Sequence, residues 1–299
     1  MTQLVFALFC APFLLGVANR AKALFAGRAG PPLCQAYFDI WRLFHKSVVY
    51  STTTTWLFRA GPVVSLAATF VALCLAPCGG AKAVFSFDGD FIVMVYLLGL
   101  SRAFIVLAAL DTGSSFEGMG ASRELQFSLL AEVGLLLCLF ALAWKTGMLD
   151  ASSICGQLTV EAWRQEAGVL SLLAAALLLV LLAESSRIPF DDPNTHLELT
   201  MIHEVMVLDH SGPELGMILY GASLKMWILG TFLVRLVFPL RTGNFAADLA
   251  LFGGAMVLLA VGIGIIESTM ARLRLLNVPK LLLGAAALPC LAFLLSAGG

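Results

Sequence analysis

Eight long apolar runs govern what this chain can fold into. They lie at about 3–19, 60–77, 90–110, 125–147, 168–184, 214–238, 246–267 and 280–297. A helix needs roughly 20 apolar residues to cross a bilayer, and these runs meet that length. They are continuous rather than alternating, which predicts helices and not barrel strands. The expected class is all-α: a polytopic membrane protein with about eight spans, in a single transmembrane domain over residues 1–299 with no room for a separate soluble domain. Composition agrees, since 60% of residues are hydrophobic and 12% charged, against about 45–50% and 25% in soluble domains. Disorder is excluded by the same numbers. The net charge of −1 offers no basic face to a nucleic acid.

Loop charges set an expected orientation. The loop 20–59 carries Arg20, Lys22, Arg28, Arg42, Lys46 and Arg59, and the loop 268–280 carries Arg272, Arg274 and Lys280. The loops around 78–89, 148–167 and 239–245 carry only Lys82, Arg164 and Arg241. The positive-inside rule then puts the odd-numbered loops, including 111–124 and 184–213, in the cytoplasm and both termini outside. The first run has no basic leader, and Arg20 and Lys22 follow it, so it is expected to stay rather than be cleaved. Seven cysteines, mostly in or beside spans and without a C-x-x-C, predict no iron–sulfur cluster in this chain.

Polar residues at bilayer depth are costly and therefore informative. Arg102, Glu132 and Lys225 lie well inside spans. Arg235 lies nearer the outer end, and Asp111, Lys145, Asp248 and Glu267 sit at span ends, where solvation or snorkelling accounts for them. The loop 184–213 gathers Glu184, Asp191, Asp192, Glu198, Glu204 and Asp209, with Glu214 just after it. Its one basic residue is Arg187, and it holds His196, His203 and His210. Apolar residues interleave them, which predicts a short buried or interfacial helix opened by the turn 191–194 and capped by Asn194 or Thr195. On such a helix Glu204 falls beside Leu197, Met201 and Leu208, the desolvated setting of a group that exchanges protons. The plainer reading is a helix with its polar side in water and one acid paired to Arg187.

Other chemistries fail on spacing. His203-Glu204 begins a zinc-protease H-E-x-x-H, but Val207 stands at the second ligand position. Histidines seven apart on a helix are roughly 10 Å apart, too far to share a metal. No G-x-x-x-x-G-K-S/T is present, and no catalytic triad is apparent. Gly212 and Gly216, and Gly262 and Gly264, are expected to mark close helix packing.

The stretch Ala183-Glu184-Ser185-Ser186-Arg187-Ile188-Pro189-Phe190-Asp191-Asp192-Pro193, followed by Glu198-Leu199, resembles the A-E-x-x-R-x-P-F-D-x-P…E-L loop of the subunit 1 family of respiratory NADH–quinone oxidoreductase. Asp209-His210-Ser211-Gly212 is similar to that family's E-Y-S-G. The segment from Asp111-Thr112-Gly113-Ser114 to Gly120-Ala121-Ser122-Arg123-Glu124, and the segment Ser268-Thr269-Met270-Ala271-Arg272-Leu273-Arg274-Leu275, resemble one branch. That branch is the membrane-anchor subunit of energy-converting nickel–iron hydrogenases, of the formate hydrogenlyase subunit 4 and hydrogenase-4 component C type.

The resemblance implies eight spans in a bacterial inner membrane, and a foot for a soluble arm of hydrogenase large and small subunits and an iron–sulfur subunit. Nickel–iron and iron–sulfur centres would belong to those partners and no cofactor to this chain, which would lie among lipids and antiporter-like membrane subunits. It implies a proton or sodium path drawn from Arg102, Glu132, Glu184, Arg187, Asp191, Asp192, Glu198, His203, Glu204, Asp209, Glu214 and Lys225. Arg187 would hold several of the loop acids ionised. Candidates for docking the soluble arm are Arg28, Arg42, Lys46, Arg123, Glu124, Arg272 and Arg274. The first loop carries a G-P segment (Gly30, Pro31) and then a short amphipathic helix through Asp39, Trp41, Arg42 and Lys46, which either docks the arm or lies on anionic headgroups. Rival readings are a quinone-binding respiratory subunit, a stand-alone ion-coupled transporter and a passive anchor. No internal repeat between the halves supports the transporter.

Overall fold

A computed structural model of the chain describes residues 2–191, 201–239 and 242–298. Regular structure among these residues is helical, apart from one isolated bridge between Cys78 and Ala81. Among the described residues, eight helices are long and apolar enough to cross a membrane. They are α1 (Thr2–Phe25), α3 (Trp56–Leu75), α4 (Asp90–Asp111), α5 (Ser115–Thr146), α7 (Val160–Glu184), α8 (Gly212–Val237), α9 (Phe245–Thr269) and α10 (Val278–Gly298). Two shorter helices, α2 (Gln35–Phe44) and α6 (Ala151–Gln157), lie in the first and fourth loops. The chain is a multi-pass membrane protein.

All eight expected spans are present, and two begin at least two turns before their apolar runs. The helix α5 starts at Ser115, three turns before its run, because Glu117, Arg123 and Glu124 find partners inside the protein. The helix α7 starts at Val160 and breaks helical geometry at Glu166, whose carboxylate pairs with Lys145 of α5. Side chains close the helix starts: Thr55, Thr159 and Asn244 each accept a backbone N–H at their own cap. The carboxylate of Asp111, at the end of α4, accepts the N–H groups of Thr55 and Phe58 and so ties α4 to the start of α3.

The helix α8 is the centre of the bundle, packed by α1, α2, α3, α7 and α9, and most of its residues are buried. The helices α5, α7 and α10 form a second group that meets α8 through α7. The amphipathic α2 leaves Phe38, Trp41 and Phe44 exposed and lies against α8, where Gly216 faces Leu43 and Phe44. Gly212 has φ +56°, and a Cβ there would meet the carbonyl oxygen of Ser47 at 2.8 Å. Gly264 lets α9 approach α1, whose Ala18 oxygen would lie 2.6 Å from an added Cβ. Gly262 does not share that role, since nothing lies within 4 Å of its Cβ position. In the fifth loop the described helical part is one 3-10 turn, Glu204–Val207, shorter than the expected helix. The turn and cap expected at 192–195 lie outside the described residues.

The odd-numbered loops meet at one end of the bundle. Asp209 N–H donates to Glu117 at 3.1 Å, Arg272 pairs with Asp191 at 2.9 Å, and Leu273 N–H donates to Pro189 at 3.0 Å. This end carries the functional candidates.

Candidate functional site

Arg102 sits midway along α4 and is buried, so its guanidinium must be paired within the protein. It reaches Glu184 at the end of α7 at 2.5 Å, Glu132 of α5 at 3.4 Å and Glu124 of α5 at 3.7 Å. Lys225 of α8 joins the same group, with Nζ 2.7 Å from Glu184 Oε2. Three carboxylates therefore share two cations, drawn from four helices. Glu184 is the most enclosed acid, its side chain 3% exposed, while that of Glu132 is 22% exposed at the seam of α4 and α5 beside Gly99. Glu184 Oε1 is buried with no hydrogen-bond partner among the described residues.

A hydroxyl group of three residues borders this cluster. Ser65 and Thr69 of α3 meet Ser101 of α4, with oxygens 2.7 and 3.0 Å apart. These three, Arg102, Glu124, Glu184, Lys225 and His203 line a polar cavity of about 60 Å³. That is room for ordered water, and polar partners are present on its walls.

A larger chamber of about 310 Å³ lies beside it, between α1, α2, α8 and the fifth loop. Leu15, Ile40, Val207, Ile218 and Leu219 give it apolar walls, and Asn19, Arg187, Asp191, His203 and Glu204 give it a polar end. Among the described residues, Arg187 is paired outside the loop acids that the sequence led us to expect around it. Its guanidinium donates to Glu267 of α9 and to Asn19 of α1, both at 3.1 Å, and Lys22 also approaches Glu267, at 3.6 Å. Glu267 is thus a buried partner and not a solvated span end, because its side chain faces Arg187 and Lys22 within the protein.

Asp191 organises the loop instead. One oxygen meets Arg272, and the other accepts the backbone N–H groups of Ile202 and His203 at 3.1 and 3.0 Å. Arg123 donates to the Met201 carbonyl at 3.1 Å. Arg123 and Arg272 therefore hold the fifth loop, and Glu124 belongs to the Arg102 cluster. Arg28, Arg42, Lys46 and Arg274 are exposed. Asp192 and Glu198 lie outside the described residues.

A third group gathers at the start of α8. Glu214 accepts from the Tyr50 hydroxyl at 2.6 Å and lies 3.3 Å from His210 Nδ1. The His210 ring stacks on Phe58 at 4.0 Å. Burial lowers the pKa of His210, against the opposing pull of Glu214. Burial likewise lowers that of His203, with Glu124 and Asp191 pulling upward and Lys225 and Arg102 downward. Hydrogen bonding to Glu214, then burial, raises that of the Tyr50 hydroxyl.

The sequence therefore marks Arg102, Glu132 and Lys225 by depth and Glu184 by its place in the acidic loop, but not Glu267, Glu117 or the Ser65–Thr69–Ser101 group. Glu117 is buried and accepts from Asp209. Its signal was available, because a carboxylate stands in the Asp111–Glu124 stretch where loop residues alone were expected.

The NADH dehydrogenase family profile matches residues 1–297. The chain is similar to hydrogenase-4 component C of Escherichia coli strain K12, at 32% identity over 92% of this chain and 88% of that protein. It is similar to formate hydrogenlyase subunit 4 of the same organism, at 31% identity over 91% of this chain and 89% of that one. Its fold matches a chain in the structure of the membrane-bound sulfane sulfur reductase, an archaeal respiratory membrane complex. That match has a TM-score of 0.82 and 21% identity, and covers 98% of this chain and 96% of that one.

Proposed function

We propose, from the premise that this chain belongs to the NADH dehydrogenase family, that it is the membrane-anchor subunit of an energy-converting hydrogenase complex. In this reading it docks a soluble nickel–iron and iron–sulfur module and couples that module's turnover to proton or sodium movement. Membership of an oxidoreductase complex is consistent with both E. coli relatives, whose names are those of hydrogenase and formate hydrogenlyase subunits. The redox centres are assigned to partner subunits, and the exposed Arg28, Arg42, Lys46 and Arg274 to the docking face. The odd-numbered loops and that face are assigned to the cytoplasm, both termini to the outer side, and the membrane to the bacterial inner membrane.

One observation carries the reading: Arg102 links Glu184, Glu132 and Glu124 at bilayer depth, with Lys225 on the same Glu184 oxygen. Charges are kept at such depth for function more often than for stability. Groups within hydrogen-bond or one-water reach of each other can pass an ion stepwise. The partly exposed Glu132 is assigned the lateral end of this path, where an antiporter-like membrane subunit would meet it. The polar end of the chamber is assigned the other end.

The first test is to purify the tagged chain from native membranes, identify its companions and assay nickel, iron, flavin and quinone. A hydrogenase large subunit with nickel supports the reading. The second replaces Glu132 or Asp191 by Ala in the assembled complex; coupled turnover and ion movement at wild-type levels would overturn the ion path. A quinone-binding respiratory subunit is the alternative, favoured by the amphipathic 310 Å³ chamber. Flavin and quinone without nickel in the purified complex would select it.

A further inference from the structure

The chamber and the charged cluster are separated by a thin shared wall. Ser185, Ser186, His203, Ile218 and Ala222 line both the 310 Å³ chamber and the 60 Å³ polar cavity. Two of these are hydrocarbon. The two serines can orient a proton but cannot hold one near neutral pH. His203 alone among the five both accepts and releases a proton in that range.

Three features of His203 bear on that position. Its Nδ1 is buried with no hydrogen-bond partner among the described residues. A buried polar atom left so is costly, so a site that keeps one is built for water or for a transient partner. Its backbone is fixed, because its N–H donates to Asp191, which Arg272 holds from the loop before α10. Its surroundings divide by side. Arg102, Glu124, Glu184 and Lys225 line the polar cavity, from α4, α5, α7 and α8, and Arg187, Asp191 and Glu204 line the chamber.

We infer that His203 is the proton hand-off between the chamber and the Arg102–Glu184–Lys225 cluster. The inference rests on the ion-path reading above and deepens it by assigning one crossing point. The step balances without electrons. A donor in the chamber gives a proton to the free ring nitrogen, forming an N–H bond. The N–H on the other nitrogen breaks, and its proton passes through cavity water to a carboxylate of the cluster. The ring is left neutral in the opposite tautomer, and a ring turn resets it. Burial and the two nearby cations favour the neutral ring at rest, so the charged form is brief.

The test uses the assembled complex in inverted membrane vesicles, reading membrane potential formed per turnover and turnover itself. Wild type is compared with Glu184→Gln, His203→Gln and His203→Ala, the last with and without added imidazole. Assembly of each is checked by co-purification of partners, and the glutamine variant keeps volume and hydrogen bonding if the alanine variant fails to assemble. Both His203 variants should lose charge transfer by about 100-fold, the lower range for a positioned acid–base group. Imidazole should restore part of it in His203→Ala. A loss below threefold in His203→Gln, with Glu184→Gln inactive, overturns the hand-off and leaves the ion path standing. A loss that imidazole does not relieve makes His203 structural and also overturns it. No potential in wild-type vesicles overturns the ion path, and the hand-off with it.

Discussion

Lys225 Nζ lies 2.7 Å from Glu184 Oε2, so the end of α7 is bound to the middle of α8 by a largely buried ion pair. The same oxygen faces Arg102 of α4. Removing one partner of a buried ion network leaves uncompensated charge, a loss of about 3–5 kcal/mol. Glu184→Ala should therefore destabilise the chain by about that amount. Glu132 is more exposed and its contact longer, so Glu132→Ala should lose about 1 kcal/mol or less. Unfolding free energies in detergent measure both, and equal losses would refute the ranking.

The link between Asp191 and Arg272 makes a separable prediction. It joins the fifth loop to the loop before α10, and Asp191 also accepts from Ile202 and His203. Arg272→Ala removes its charge-assisted hydrogen bond to Asp191, worth about 1.5–3 kcal/mol. Opening of the fifth loop should then rise about 10- to 100-fold, read as faster limited proteolysis or amide exchange at 201–211. Asp191→Ala should open it further, because the two backbone donors lose their acceptor as well. Unchanged exchange in Arg272→Ala would show that the loop is held elsewhere.

The two glycines of α9 should behave oppositely. Gly264 faces the α1 backbone, so Gly264→Ala must push the helices apart, at about 1–3 kcal/mol. Gly262→Ala meets open space and should be neutral or stabilising by up to about 1 kcal/mol, the helix-propensity gain. Thermal unfolding of the two variants side by side tests this. A loss at Gly262 equal to that at Gly264 would contradict the packing.

Bilayer depth explains what was legible beforehand. Apolar run length located every span, and the cost of buried charge singled out Arg102, Glu132 and Lys225. Pairing was less legible, because it depends on which helices are neighbours. Glu267 and Arg187 are 80 residues apart and meet only because the last turns of α9 pass beside the start of the fifth loop. The polar first turns of α5 hid its start from hydropathy for the same reason, since Glu117 and Glu124 are satisfied by distant partners. The Ser65–Thr69–Ser101 group was invisible because hydroxyls at helical spacing are ordinary until two helices align them.

Acid should weaken the fold through His203 and His210 of the fifth loop. Burial lowers the pKa of both His203 and His210 below the ordinary 6.5. Below pH 6.5 the unfolded chain then binds more protons than the folded one, so stability falls as pH falls. The stabilisation from each neutral ring is fully present above both values and is lost as pH drops from 6.5 toward the folded pKa. At pH 5.5 the loss has a ceiling of about 1.4 kcal/mol per histidine, set by the unfolded value alone. His210 carries the cleaner test, because it stacks on Phe58 and lies outside the lining of both cavities. Unfolding free energy measured at pH 7.5 and 5.5 should drop less in His210→Gln than in wild type, and less still in the variant carrying both His203→Gln and His210→Gln. An equal drop in all three proteins would place the acid sensitivity on other groups.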